Sequence, residues 1–236
     1  MIKRYFNRKK NRSLNKMLIR NKIFCIGLHK TGTTTLANFF REYGFKDTHS
    51  INWINNERKL NKYDFFSDGG SHFDNIQEFN FKKLFNTYKD STFILQTRDT
   101  EKWVLSKLRH AGWTKDTIIQ PDDPCKISHD EWKYKSFLTI QKFIEHKINY
   151  EQKVLSFFKE NDMSRLMVID ITKKDTQATE INKLKRELNL RSVNTISLPH
   201  HHNKKSEISV SEDVHDFIRK IIKEKERTSL LLTENY

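Results

Sequence analysis

The segment KIFCIGLHKTGTTTLANFFREYGF, Lys22 to Phe45, changes its apolar period part-way along. Ile23, Phe24, Cys25 and Ile26 are consecutive apolar residues ended by Gly27, the pattern of a strand buried on both faces. Leu36, Phe39, Phe40 and Tyr43 then recur at helical spacing, and Gly44 supplies a stop. A strand, a glycine-bearing turn and a helix in immediate succession predict the opening of an α/β sheet. The N–H groups that begin such a helix favour an anion. Gly27 and Gly32 have the spacing of the nucleotide loop G-x-x-x-x-G-K-[ST], whose lysine reaches the β- and γ-phosphates. Thr33 stands where that lysine belongs, and Lys30 precedes the second glycine instead. The cradle of backbone N–H groups from Lys30 to Thr35 survives. Its cation moves to the lip, within reach of a bridging oxygen rather than a distal phosphate.

Two further apolar runs continue the pattern: Phe93 to Leu95 within STFILQTRDTEKW, and Leu166 to Ile169 within RLMVIDI, with Asp170 at its end. The chain between them is long enough for helical crossovers, so the expected fold is α/β, a single P-loop-type domain with a central parallel β-sheet flanked by helices. Ligands of such sheets gather at the carboxyl ends of the strands, where the polar clusters fall here. Ser128 with Glu131 forms a capping box before a long helical pattern carrying Trp132, Phe137, Ile140, Ile144 and Ile148, expected to pack on the sheet. Val214, Phe217, Ile218, Ile221 and Ile222 predict an amphipathic C-terminal helix with a basic outer face.

Length favours one domain with a full core, two at most. The formal net charge is +14, which raises nucleic acid as a partner. The charge is unevenly spread: nine Lys and Arg and no acid occur in the first 22 residues, whereas later lysines mix with Asp and Glu. No zinc-finger or RNA-recognition signature accompanies them, so no specific nucleic acid is expected. The N-terminal stretch reads as a basic arm, either a solvated tail or a contact for an anionic membrane or polyanion. No apolar run is long enough to span a bilayer and no signal-peptide core is present, so a cytoplasmic location, with peripheral contact at the inner membrane surface, is the expectation. Cys25 and Cys125 lie far apart and resemble no zinc or redox spacing, and the histidines of LPHHHNKKSE stand at adjacent positions whose side chains diverge. No metal is expected.

The displaced lysine followed by TGTTTL resembles the 5′-phosphosulfate loop of sulfotransferases, which use 3′-phosphoadenosine 5′-phosphosulfate (PAPS). That family also carries an arginine and a serine for the 3′-phosphate after the next core strand. Here FILQTRDTEKWVLSKL places Arg98 after the strand and Ser106 eight positions later on a helix beginning near Thr100. YDFFSDGG, LMVIDIT and LPHHHNK, in order, resemble segments of bacterial sulfotransferase-domain proteins. The resemblance implies a sulfotransferase domain over residues 22–205; the basic N-terminal arm over 1–21 and the C-terminal amphipathic helix and tail over 206–236 lie outside it. It implies a donor site of His29, Lys30, Thr31, Gly32, Thr33, Thr34, Thr35, Arg98 and Ser106. One departure stands out: Thr35 occupies the position at which small-molecule sulfotransferases carry a tryptophan for adenine.

Sulfuryl transfer needs a cation where charge develops on the departing phosphate oxygen, and Lys30 is the residue for it. A base for the acceptor is also needed. The family uses Glu, Asp or His; Asp68 in SDGG is preferred here, with His72, His49 and Asp64 as competitors and Glu42 and Glu57 as solvated helix residues. Turn aspartates beside glycine commonly serve turn geometry alone, the bland alternative for Asp68. The expected acceptor is a hydroxyl or amine, of a glycan or glycolipid in preference to a small metabolite. The rival is a magnesium-dependent P-loop kinase or NTPase, with Asp170 holding the metal. A third possibility is a polyanion-binding module without turnover.

Overall fold

The computed structural model describes residues 2–16, 21–69, 81–113, 128–192 and 210–233. In chain order the helices are α1 (Ile2–Leu14), α2 (Thr33–Glu42), α3 (Glu57–Lys62), α4 (Phe81–Thr87), α5 (Thr100–His110), α6 (His129–Asn161), α7 (Lys174–Glu187) and α8 (Glu212–Thr233). The strands are β1 (Ile23–Cys25), β2 (Asp47–His49), β3 (Phe65–Ser67), β4 (Thr92–Gln96) and β5 (Leu166–Ile169). These elements fall into two compact units, Met1–Arg98 with Ser156–His202, and Asp99–Leu155 with Asn203–Tyr236.

The first unit holds a five-stranded, wholly parallel sheet in the order β2-β3-β1-β4-β5. The chain leaves β1 for edge strand β2 on one side and leaves β4 for β5 on the other, so the loop leaving β1 sits at the topological switch point. Both faces are buried, and alternation along β1 divides the core. Ile23 and Cys25 join Leu36, Phe40, Phe65 and Ile94 on one face. Phe24 stacks on Phe66 and Phe93 on the other, with ring centroids 4.9 and 5.5 Å apart. Burial also pushes the Cys25 thiol well above its ordinary pKa.

Helix α2 packs Leu36, Phe39 and Phe40 inward and ends in a Schellman motif. Gly44 has φ 90° and donates to Arg41 O at 3.1 Å, while Phe45 N donates to Phe40 O at 3.1 Å. The Phe45 ring meets Phe40 edge-on at 5.2 Å, the apolar contact that accompanies this cap.

Within the basic N-terminal stretch, residues 2–14 are helical and docked, which corrects the solvated-tail alternative. Arg12 donates to Asp64 Oδ2 and to Gly44 O, both at 2.9 Å, and Asn11 donates to Glu42 O at 2.7 Å. Buried Asn15 joins distant chain: Nδ2 donates to Arg191 O at 2.8 Å, and Arg191 N donates to Oδ1 at 2.9 Å. Lys9, Lys10 and Lys16 point outward. Asp64 and Glu42 are thus spent on α1, Glu42 also pairing with Arg8.

The long helix α6 differs from expectation in how it meets the sheet. Its 33 residues span about 50 Å, against strands of three to five residues. Phe158 near its C-terminal end packs on β4, 5.1 Å from Phe93. Trp132 to Ile148 belong to the second unit. There Phe137 stacks on Phe217 of α8 at 4.5 Å, with Val214 and Ile218 fully buried. Glu131 N donates to Ser128 Oγ at 3.2 Å, one half of the expected capping box. Glu101 of α5 receives His215 Nδ1 at 2.6 Å and Arg219 Nε at 3.5 Å from α8.

Candidate active site

The loop between β1 and α2 is fixed from below by Gln96, a fully buried polar residue that ends β4. Gly27 N donates to Gln96 Oε1 at 3.0 Å, and Gln96 Nε2 donates back to Gly27 O at 3.2 Å. A Cβ on Gly27 would stand 2.0 Å from Gln96 O, so the close approach of β1 and β4 demands glycine. From there His29 and Thr31 turn inward, Thr31 donating to Leu28 O. Lys30 adopts a left-handed φ of 67°, and its carbonyl accepts from Arg98 Nη1 at 3.2 Å. Arg98, two residues beyond β4, therefore holds the lip of the loop.

Gly32 is the N-cap of α2 at φ 94°, and it offers no side-chain cap to the helix's first N–H groups. A Cβ at this position would lie 2.8 Å from Ile171 Cγ1 and would strain the left-handed backbone, so a larger residue is disfavoured on both grounds. An uncapped, positively polarised helix start followed by Thr33, Thr34 and Thr35 is a donor set suited to a phosphate ester. Thr33 is buried, Thr34 exposed and Thr35 half-buried.

The carboxyl ends of β2 and β3 bring two titratable side chains to this helix start. His49, last in β2, makes a 3.1 Å hydrogen bond between Nε2 and Thr34 Oγ1. Its Nδ1 is hydrogen-bonded to Ser67 Oγ, its neighbour across the β2–β3 ladder, at 2.9 Å. Asp68 follows β3 in a left-handed turn at φ 61°, and Oδ1 accepts from Thr33 Oγ1 at 3.4 Å. Asp68 Oδ2 lies 4.0 Å from His49 Nε2. Gly69 locks the turn, because a Cβ there would meet Trp53 Cζ2 at 2.3 Å.

Of the residues singled out from sequence, the first unit thus gathers Lys30, Gly32, Thr33, Thr34, Asp68 and Arg98 around one helix N-terminus, with His29, Thr31 and Thr35 in the same loop and turn. Asp64 lies at the opposite, amino end of β3 and is bound to α1. Ser106 is buried on α5 in the second unit. His72 and the histidine run 200–202 lie outside the described residues. Gln96 escaped the sequence reading, although a lone amide at the end of an apolar strand is the signal for it. His49 was visible only as a competitor, since nothing in DTH marks a strand.

Asp170 directly follows β5, an edge strand of the sheet, and β4 lies between β5 and β1. Its Oδ1 accepts from Thr172 N at 2.9 Å and from Thr172 Oγ1 at 2.6 Å, an ordinary Asx turn.

A wholly parallel α/β sheet with a glycine-led helix start at its switch point is shared by a broad class of enzymes. The comparison with known families is narrower: the model of the sulfotransferase domain matches residues 22–227. The chain belongs to the sulfotransferase domain family, whose members are transferases that move a sulfuryl group and generally take it from PAPS. No curated protein matches the chain. Among the described residues no helix is long and apolar enough to cross a membrane.

Proposed function

We propose that this chain transfers the sulfuryl group of PAPS to a hydroxyl or amine of an acceptor, a glycan or glycolipid in preference to a small metabolite. The observation that carries the proposal is the meeting of Asp68 and His49 with the Thr33 and Thr34 hydroxyls at the start of α2, one turn from Lys30. When bound, the donor supplies an activated sulfuryl group. The first N–H groups of α2 and the threonine hydroxyls would hold its 5′-phosphate, and Arg98 would pair with its 3′-phosphate. The Lys30 ammonium would stabilise charge on the departing phosphate oxygen. Asp68 would take the acceptor's proton as the acceptor oxygen bonds to sulfur and the sulfur–oxygen bond to the 5′-phosphate breaks.

The kinase alternative requires Asp170 on magnesium and a cation following Gly32. Asp170 is instead engaged by Thr172, and Thr33 faces a carboxylate. The outward lysines of α1 are a surface for an anionic membrane or glycan, consistent with a peripheral cytoplasmic enzyme. Calorimetric titration with adenosine 3′,5′-bisphosphate, then ADP, then ATP with magnesium tests the donor assignment. Preference for the bisphosphate, unaffected by EDTA, is expected; preference for ATP with magnesium would replace it with the kinase assignment.

A further inference from the structure

A nucleotide loop of the NTPase type places a lysine directly after its second glycine, facing the distal phosphates. Here that position is Thr33, and its hydroxyl faces a carboxylate: Asp68 Oδ1 lies 3.4 Å from Thr33 Oγ1. The sign of the charge beside the distal side of the cradle is therefore inverted. Asp68 is also held in place. It follows fully buried Ser67, sits at φ 61°, and precedes Gly69, whose backbone is packed against Trp53. Trp53 Nε1 in turn donates to Ser67 O at 3.1 Å. His49 Nε2, 4.0 Å from Oδ2, is the titratable neighbour from β2.

A fixed carboxylate distinguishes two groups that are nearly identical in shape. A terminal sulfuryl group carries one negative charge, whereas a terminal phosphoryl group carries about 1.5 to 2 at neutral pH. Repulsion from Asp68 is accordingly greater for the phosphoryl group, and discrimination by a repulsive element is a general route to specificity. We propose that Asp68 is a specificity-determining residue whose carboxylate rejects a phosphoryl group in the distal position, beyond the 5′-phosphate, while admitting a sulfuryl group there. This role rests on the assignment of the β1–α2 loop to PAPS. It is separate from proton transfer, because it is expressed in binding alone.

The test is calorimetric titration of the full chain and of Asp68→Asn with two ligands. Adenosine 3′,5′-bisphosphate has no distal group; 3′-phosphoadenosine 5′-diphosphate carries phosphoryl where the donor carries sulfuryl. Asparagine keeps the size of the side chain and tolerates the left-handed backbone, and Asp68→Ser serves the same purpose if that variant does not fold. The expected result is about tenfold or greater tightening of the diphosphate on substitution, with the bisphosphate changed by less than about threefold. Equal changes for both ligands, or none for either, would overturn the filter while leaving the donor assignment in place. Failure of the unmutated chain to bind the bisphosphate would overturn the donor assignment, and the filter with it.

Discussion

Replacing Gln96 by leucine separates the fixing of the loop from its chemistry. The Gln96 amide closes a two-way hydrogen-bonded pair with the Gly27 peptide at 3.0 and 3.2 Å in a position without solvent access. Leucine fills much of the same volume but satisfies neither group. One N–H and one C=O of Gly27 are left buried, at about 1–3 kcal/mol each. Removing the amide's own burial cost offsets part of this, so a net loss of about 2–4 kcal/mol is expected, against a total stability on the order of 5–15 kcal/mol. Urea unfolding should show a lower midpoint at an unchanged slope. Bisphosphate affinity should fall as well, since Gly27 leads into the cradle. A midpoint shift worth less than about 0.5 kcal/mol, the range of an ordinary surface substitution, would refute the claim that Gln96 carries the loop.

Lys30→Ala should lose most turnover with little loss of bisphosphate affinity, whereas Arg98→Ala should weaken binding of nucleotides with a 3′-phosphate far more than of AMP. Because Arg98 also holds the Lys30 carbonyl, its loss should lower turnover too; indistinguishable binding and rate effects of the two variants would undo the division of roles. Native protein should resist alkylation at Cys25 at neutral pH and become labelled on unfolding, because burial raises the thiol pKa well above its ordinary value; labelling of folded protein, read by peptide mass spectrometry, would contradict this. Glu145 is held below the usual carboxylate range by hydrogen bonds from Lys225, at 2.7 Å, and from Gln141. A depressed folded pKa contributes stability above the unfolded carboxylate value, and that contribution disappears as pH falls through the folded value. Lys225→Met should therefore lower Tm slightly at pH 7 and not at all in strong acid; a pH-independent difference would count against the pair.

The three strands rich in apolar residues, β1, β4 and β5, were legible because burial on both faces leaves an uninterrupted apolar run. Edge strand β2 was not, since DTH has no apolar residue and owes its conformation to pairing with β3. Strand β3 is only three residues long, and nothing in YDFFSDGG separates it from the turn that follows. Its partners are the backbones of β1 and β2, and pairing between distant segments leaves no local signature. The α2 loop was plain from its glycines and threonines, each dictated by local geometry. The company of Asp68 and His49 there follows from strand order, which one sequence does not display. Lys and Arg dominate the N-terminal stretch, yet Asn11 and Asn15 turn inward, so its charge concealed a docked helix.

The reciprocal bonds between Asn15 and Arg191 also set a schedule. At about 5–20 residues per second of synthesis, Arg191 follows Asn15 by roughly 9 to 35 s. Strand β5 follows β1 after a similar wait. During that interval α1 has part of its socket, on α2 and at Asp64, but cannot close its last latch. Helix α1 is made before the other described elements and gains its last bonds only with Arg191, so a nascent chain stalled short of residue 191 presents it unlatched.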